Sequence, residues 1–411
     1  MGSVWLKKIV KIPYGVLARI LWLFVPIKRK MWIFGADYGN SYREGSKYLF
    51  EYMLKNHPEY DCRFVTQSPE VCRDLRAKGM PCVMNISLAG VWATARAECI
   101  FTCQYSTDVL FGFKKRGRRF FYLVHGQPMK VAMLSLAEKK IHERVLPSGR
   151  IPRNSLCFKF RALLGRLFNN GFSIFDSEFI SATSDFLREW QKKDFGADME
   201  SKVIGMPRND ALFQPWRMEG EKWTEAAKGK FVVSYMPTHR LYGKGKISPT
   251  PFADNAEAQR WMEENGVLLV VKNHPNMIKQ FENGYRPYES ECIKDITTAG
   301  IDPMTVVYHS DVLITDYSSV WMDYLLTRRP MVFYIYDDFV NDDVGVYYDI
   351  KEERVGHFCY SEQELFDLLK KIKANYDAMR PADDVVRKFH KYVDGNSCER
   401  YFKEITRQGQ R

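Results

Sequence analysis

The sequence predicts an α/β protein of two halves, each an open parallel sheet, and three observations carry that expectation. At 411 residues the chain is long enough for two domains with separate cores. From Met31 onward, short apolar β-prone runs alternate with helical patterns, and this happens twice. The runs are almost continuously apolar, as strands covered on both faces must be. In the second half, four of them end abruptly in the polar groups PTHR, KNHP, TDYSS and YDD. Ligands of open parallel sheets bind beyond the carboxyl ends of the strands.

The first half reads as strands at 31–35 (MWIFG), 62–66 (CRFVT), 81–85 (PCVMN), 99–103 (CIFTC) and 120–124 (FFYLV). Helical patterns fall between them at 47–55, 70–78 and 88–95. The basic stretch 133–170 carries no clear pattern, and 174–183 (IFDSEFISAT) reads as the strand and turn that close this half. A helix is expected at 186–192, then a strand running into a proline-broken loop at 201–210. The second half contributes apolar strands within 231–238, 267–275, 311–319 and 329–337, and the tail 385–405 has a helical period. The expected division is therefore a terminal segment 1–30, an α/β domain 31–200, a second α/β domain 201–384 and a helical tail 385–411.

Charge is unevenly placed. Residues 1–30 hold seven basic side chains and no acid, so they supply most of the net charge of +11. A cationic end points to an anionic surface, whereas a nucleic-acid binder spreads its basic residues over a groove of the folded body. The apolar stretch Tyr14–Val25 is interrupted by Arg19 and bounded by Pro13 and Pro26. Twelve residues of helix span about 18 Å, against a hydrocarbon core of about 30 Å, and no cleavage site follows. The stretch fits a helix lying in the membrane interface, with Trp5, Leu6, Leu21, Trp22 and Phe24 turned to lipid; the alternative is a terminal helix packed on the protein's own core. The nine cysteines lack metal-knuckle spacing and fit packed, reduced thiols.

Chemistry-bearing residues cluster at strand ends. In HGQPMK (125–130), His125 follows a strand directly, is freed by Gly126 and is fixed by Pro128. Such a histidine can take a proton from a hydroxyl near neutral pH, or simply cap a loop. Lys130 can neutralise a phosphate or remain solvated. In PTHR, Pro237 is rigid, Thr238 is a donor and Arg240 offers a fork matched to phosphate oxygens; His239 is given no role. In KNHP, Lys272, Asn273 and His274 repeat the arrangement, with His274 held extended by Pro275 and able to serve phosphate or a leaving group. In TDYSSVWMDY, a helix starting at Ser318 or Ser319 would present an anion site, with Asp323 on the ligand-facing side; ordinary capping by Asp316 or Ser318 is the plainer reading.

Phosphate-facing strand ends in one half and a histidine in the other imply a cleft between two Rossmann-like domains, the GT-B architecture. Dinucleotide and P-loop glycine motifs are absent from the sequence, which argues against NAD and ATP. The ordered set HGQPMK, GMPRND (205–210), PTHR, NHP, SDVLITDYSSVWMDY (310–324), GVYYD (345–349) and FHKYVDGN (389–396) resembles the CDP-glycerol glycerophosphotransferases of teichoic acid and capsule synthesis, over residues 31–405. Two positions depart from the family pattern: Val124, where an aromatic usually precedes the HG pair, and His239, where a bulky residue is usual.

The resemblance implies that His125 is the general base on the acceptor hydroxyl. It places Arg208, Pro237, Thr238, Lys272, Asn273 and His274 on the donor, with Ser318, Ser319 and Asp323 completing a pyrophosphate and glycerol site. Gly126, Pro128, Lys130, Arg240 and Asp316 complete the expected substrate-binding set, and His274 joins His125 as a catalytic candidate. The expected activity is transfer of glycerol phosphate from CDP-glycerol to a prenyl-diphosphate-linked acceptor at the cytoplasmic face of a bacterial membrane, releasing CMP. No cofactor and no nucleic-acid partner are expected, although Asp337, Asp338, Asp342 and Asp343 could hold a divalent ion. The alternatives are a CDP-ribitol transferase, a GT-B sugar-nucleotide glycosyltransferase and a non-enzymatic membrane scaffold.

Overall fold

The computed structural model describes residues 2–109, 113–132, 172–215, 223, 225–238, 250–274, 285–337 and 345–408, with backbone alone at 2–12 and 106. Two open parallel sheets dominate it. The first has the order β3-β2-β1-β4-β5, from β1 (Lys28–Phe34), β2 (Asp61–Thr66), β3 (Cys82–Met84), β4 (Ala97–Thr102) and β5 (Arg119–Tyr122). The second has the order β10-β9-β8-β11-β12-β13, from β8 (Phe231–Tyr235), β9 (Val267–Val271), β10 (Ile293–Asp295), β11 (Val312–Thr315), β12 (Met331–Tyr334) and β13 (His357–Cys359). In each, the order reverses once, between β1 and β4 and between β8 and β11.

The continuous apolar runs have a direct cause: both faces of each sheet are buried. In the first sheet, Trp32, Phe34, Phe64, Phe101 and Phe121 build one core, while Met31, Ile33, Val65, Ile100 and Phe120 build another on the opposite face. The second sheet repeats this, with Leu268, Val270, Leu313 and Phe333 against one layer and Leu269, Val271, Ile314 and Tyr334 against the other. Period-2 side-chain geometry delivers alternate residues to opposite layers.

Several expectations are corrected. Residues 174–183 do not add a strand to the first sheet: Ile174–Asp176 is a 3₁₀ turn, and β6 (Ile180–Ala182) pairs with β7 (Ser201–Val203) in a separate two-stranded sheet. β11 stops at Thr315, where its apolar run ends, whereas β12 stops at Tyr334, two residues before its aromatic run does. The tail forms two helices, Asp383–Phe389 and Ser397–Gln408, and the second crosses back to the first sheet. There Cys398, Tyr401 and Ile405 complete the core around Trp32 and Phe101. Asp210 accepts the backbone N–H groups of Ser397 and Cys398 (2.8 and 2.7 Å), satisfying orphan donors at that helix start.

The terminal segment also differs from expectation. One helix, Gly2–Phe24, runs through Pro13, and β1 already begins at Lys28. Lys28 pairs with Asp61 and Arg29 with Glu98, each at 2.7 Å, so these cations belong to the amino end of the sheet's central strand. Leu21 and Trp22 face the protein, packing with Val91 and Phe113, and the Trp22 indole donates to the Lys114 carbonyl (2.7 Å). The outward stripe is Val16, Ile20, Leu23 and Phe24, with Leu88 and Trp92 of the neighbouring helix Leu88–Arg96 also exposed. Trp5 and Leu6 lie outside the described side chains. Among the described residues, no helix is long and apolar enough to cross a membrane. The eight described cysteines are buried and form no disulfide with one another, and no described cluster of His, Cys, Asp and Glu could hold a metal ion.

Candidate active site

A cleft of about 840 Å³, open solvent included, lies between the carboxyl ends of the two sheets. Its walls include Glu44, His125 and Arg208, together with Pro237, Lys272, Asn273, His274, Ser318, Ser319 and Asp323.

His125 stands three residues beyond β5, half-exposed, after Val124, whose φ of 53° is rare for a β-branched residue. Backbone strain of this kind persists only where the surroundings over-determine it. They do here: Gln127 is buried and donates to the Ser181 carbonyl (3.1 Å), the Tyr348 hydroxyl donates to the Pro128 carbonyl (3.0 Å), and Lys130 bridges to Val346. Pro128 and Lys130 therefore fasten the loop beneath His125 and do not line the cleft. Gly126 faces the other half: a Cβ there would sit 2.8 Å from the Ser319 hydroxyl oxygen, so any side chain at this position would force that hydroxyl to turn away.

Arg208 joins the halves. Its Nε and Nη2 bind the two Asp323 oxygens (3.0 and 2.7 Å), while Nη1 donates to Glu44 and to the His125 carbonyl (2.6 Å each). Asn209 also donates to Asp323 (2.5 Å). Asp323 thus reaches the cleft wall with its carboxylate already held. Two anions beside Arg208 outweigh its burial and raise its pKa further.

Glu44 is the functional candidate that motif reading missed. It opens helix Glu44–Asn56 in a left-handed conformation (φ 63°), and its carboxylate lies 3.5 Å from His125 Nδ1. Burial pushes its pKa up, but His125, Arg208 and Arg43 overcome this and hold the carboxyl below its ordinary range. The sequence signal is faint: an isolated acid about eighty residues before the histidine it meets.

In the second half, Pro237 lines the cleft after β8, and Thr238 donates to Asp316 through both backbone N–H (2.7 Å) and hydroxyl (2.6 Å). Asp316 is buried and ties the β8 and β11 ends together. Asn273 is held by its N–H to Thr297 (3.0 Å) and its amide to Tyr285 (2.8 Å). The Lys272 ammonium lines the cleft and is nine-tenths buried; burial lowers its pKa to about 8, with Arg43 adding to the effect and Asp302 and Asp295 opposing it. Ser318 and Ser319 precede a helix of six residues, Val320–Leu325, and Ser319 makes no side-chain cap, contrary to the capping expected. Arg240, Asp338, Asp342 and Asp343 lie outside the described residues.

Comparison with known proteins identifies the family and agrees with the fold. The model of the CDP-glycerol:poly(glycerophosphate) glycerophosphotransferase family matches residues 17–407. The chain is 27% identical to a teichoic acid poly(glycerol phosphate) polymerase of Bacillus subtilis, over 85% of this chain and 45% of that one. It is 25% identical to the Bacillus spizizenii polymerase of the same description, over 95% of each. The chain thus spans under half of the first relative and nearly all of the second. A structure of the wall teichoic acid polymerase TagF superposes with a TM-score of 0.71 at 20% identity, covering 99% of this chain and 98% of that one, so the GT-B-like fold is shared. The protein belongs to the CDP-glycerol:poly(glycerophosphate) glycerophosphotransferases, enzymes of the teichoic acid polyol-phosphate polymerase and primase group.

Proposed function

We propose that this enzyme transfers glycerol phosphate from CDP-glycerol to a hydroxyl of a membrane-bound, prenyl-diphosphate-linked acceptor. The single observation that carries the reading is the pairing of His125 Nδ1 with Glu44, which leaves Nε2 toward a cleft lined opposite by Lys272, His274, Ser318 and Ser319. The acceptor oxygen attacks the phosphorus bearing glycerol, its proton passes to His125, the phosphoanhydride bond breaks and CMP leaves. Phosphoryl transfer depends chiefly on positioning and on neutralising charge, which Lys272 and the serine hydroxyls serve. Glu44 orients the imidazole and offsets the positive charge it gains. A TagF structure soaked with CDPG supports the donor class, being similar to this chain at 21% identity and a TM-score of 0.66.

Purified protein incubated with CDP-glycerol or CDP-ribitol and a prenyl-diphosphate disaccharide, followed by mass measurement of the product, tests the reading. A mass gain of one glycerol phosphate unit or more with CMP release is expected. Release of a nucleoside diphosphate from a sugar nucleotide would replace it with glycosyl transfer. Ribitol is the second reading because a Staphylococcus aureus ribitol-phosphate polymerase is 30% identical over 52% of this chain.

Two expected outcomes follow from residues other than the His125–Glu44 pair. Lys272 binds an anion in its protonated form. Donor affinity is therefore full below its free-state pKa of about 8 and falls as pH rises above it, by about tenfold between pH 7 and 9 provided the bound-state pKa exceeds 9. Calorimetry across that range checks this, and the Lys272→Met variant should lose the slope along with much of the affinity. The exposed stripe on the first helix supports peripheral attachment to a membrane surface at its cytoplasmic face. Changing Ile20, Leu23 and Phe24 to glutamate should abolish sedimentation with anionic vesicles while leaving folding intact, since none of the three packs in the core. Unchanged sedimentation would place the attachment elsewhere.

A further inference from the structure

The first sheet has a strand-order reversal of its own that the reaction described above does not use. Its strand order reverses between β1 and β4, and open parallel sheets bind ligands outside the strand ends at such a reversal. The second sheet's reversal, between β8 and β11, is where Pro237, Thr238, Ser318 and Ser319 stand. At the first sheet's reversal stand two tyrosines: Tyr38 follows β1 and Tyr105 follows β4. Their rings stack at 5.1 Å between centroids, inclined by 25°. Both remain 45–47% exposed in a protein that buries most of its large aromatics.

The backbone that holds them is unusual. Asp37 and Tyr38 are both left-handed (φ 51° and 56°), which is rare for a bulky residue and consecutive here. The conformation is imposed by specific contacts. The Tyr38 N–H donates to the buried Asp108 carboxylate (2.8 Å), whose other oxygen accepts the N–H groups of Cys103 and Gln104 (2.9 and 2.8 Å). The Gln67 amide donates to the Tyr38 carbonyl (2.6 Å), and Arg43 pairs with Asp37 (2.8 Å). The β1 loop approaches the β4 loop so closely that a Cβ on Gly35 would lie 2.5 Å from the Asp108 carbonyl oxygen. Strain maintained by a dedicated network, ending in exposed side chains, marks a functional surface better than a structural one. The pair also adjoins the reaction centre. Arg43, which pairs with Asp37 beside Tyr38, lines the cleft next to Glu44.

We propose that Tyr38 and Tyr105 form a stacking platform for a pyranose ring of the acceptor. The ring's axial C–H bonds carry partial positive charge and meet the negative face of an aromatic ring. The amides of Asn40 and Gln67 lie alongside to meet sugar hydroxyls, already joined to one another and to the Tyr38 carbonyl. A linear polyol phosphate has no such flat C–H face. This inference rests on the reading that the acceptor enters from the first sheet and deepens it by naming the ligand's ring chemistry.

The test uses the full chain and two double variants, Tyr38→Ala/Tyr105→Ala and Tyr38→Phe/Tyr105→Phe. Saturation-transfer NMR with a soluble disaccharide reports ring contact independently of catalysis, so it stands even if CDP-glycerol proves not to be the donor. Steady-state kinetics with the prenyl-diphosphate disaccharide then give KM for each substrate. The alanine pair should lose the NMR contact and raise acceptor KM about tenfold, equal to about 1.4 kcal/mol, with donor KM unchanged; the phenylalanine pair should retain both. Unchanged acceptor KM and NMR contact in the alanine pair would overturn the proposal. A rise in donor KM instead would assign the tyrosines to the nucleotide base and overturn it equally. Should the alanine pair fail to fold, Tyr105→Ala alone, at an extended backbone position (φ −147°), carries the same expectations.

Discussion

Replacing His125 with alanine should lower turnover about a hundred- to ten-thousand-fold, the range typical of removing a general base. Donor binding should survive, because the groups proposed to face the nucleotide, Lys272, Ser318 and Ser319, stand on the other sheet. The argument rests on placement. His125 follows a buried strand on strained backbone, its Nδ1 is engaged by Glu44, and its carbonyl is gripped by Arg208. Its opposite nitrogen is therefore the one available to an acceptor hydroxyl. Glu44→Gln should cause a smaller loss, about ten- to a hundredfold, because the imidazole keeps a neighbour but gains no compensating charge on protonation. Single-turnover rates and donor calorimetry on the same preparations check both, with Ser318→Leu/Ser319→Leu as the variant that loses donor affinity. A folded His125→Ala enzyme with near-normal turnover would remove the mechanism while leaving the family assignment intact.

The largest stability effect is expected at Arg208. Removing it leaves Asp323 and Glu44 as buried carboxylates without their shared cation, and Asp323 would retain only Asn209. Breaking a buried ion pair from one side costs about 3–5 kcal/mol, because the remaining charge stays desolvated. Arg208→Ala should lower denaturation midpoints by a corresponding amount and reduce turnover together with acceptor binding, since the His125 loop loses its anchor. Arg208→Lys should recover part of the stability but little of the rate: a single ammonium cannot span Asp323, Glu44 and the His125 carbonyl at once. Urea unfolding beside kinetics distinguishes these outcomes, and a stable Arg208→Ala protein with wild-type midpoints would show that the network does not hold the halves together.

Arg208 also illustrates what motif reading can and cannot deliver. From sequence it was one of several cations expected on the donor, alongside Lys272 and Arg240. The fold instead commits all three of its side-chain nitrogens to protein groups on Glu44, His125 and Asp323, which lie 164, 83 and 115 residues from it along the chain. Ser319 shows the reverse. The expected helix cap does not form, so its hydroxyl faces Gly126 across the cleft and stays with the ligand-facing surface.

By itself the sequence determined the two parallel sheets, because strands buried on both faces must be apolar without alternation, and that signal is local. It also located His125, Lys272, His274 and the Ser318–Ser319 pair, since strand ends are marked by an abrupt change to polar residues. Only the tertiary structure decided which of these meet. Glu44 finds His125 through a left-handed helix start, Tyr38 finds Tyr105 across the reversal of the first sheet, and helix Ser397–Gln408 returns from the end of the chain to complete the first core. Each depends on chain reversals and on contacts between residues far apart in sequence, whereas periodicity reports only what a residue's near neighbours are doing.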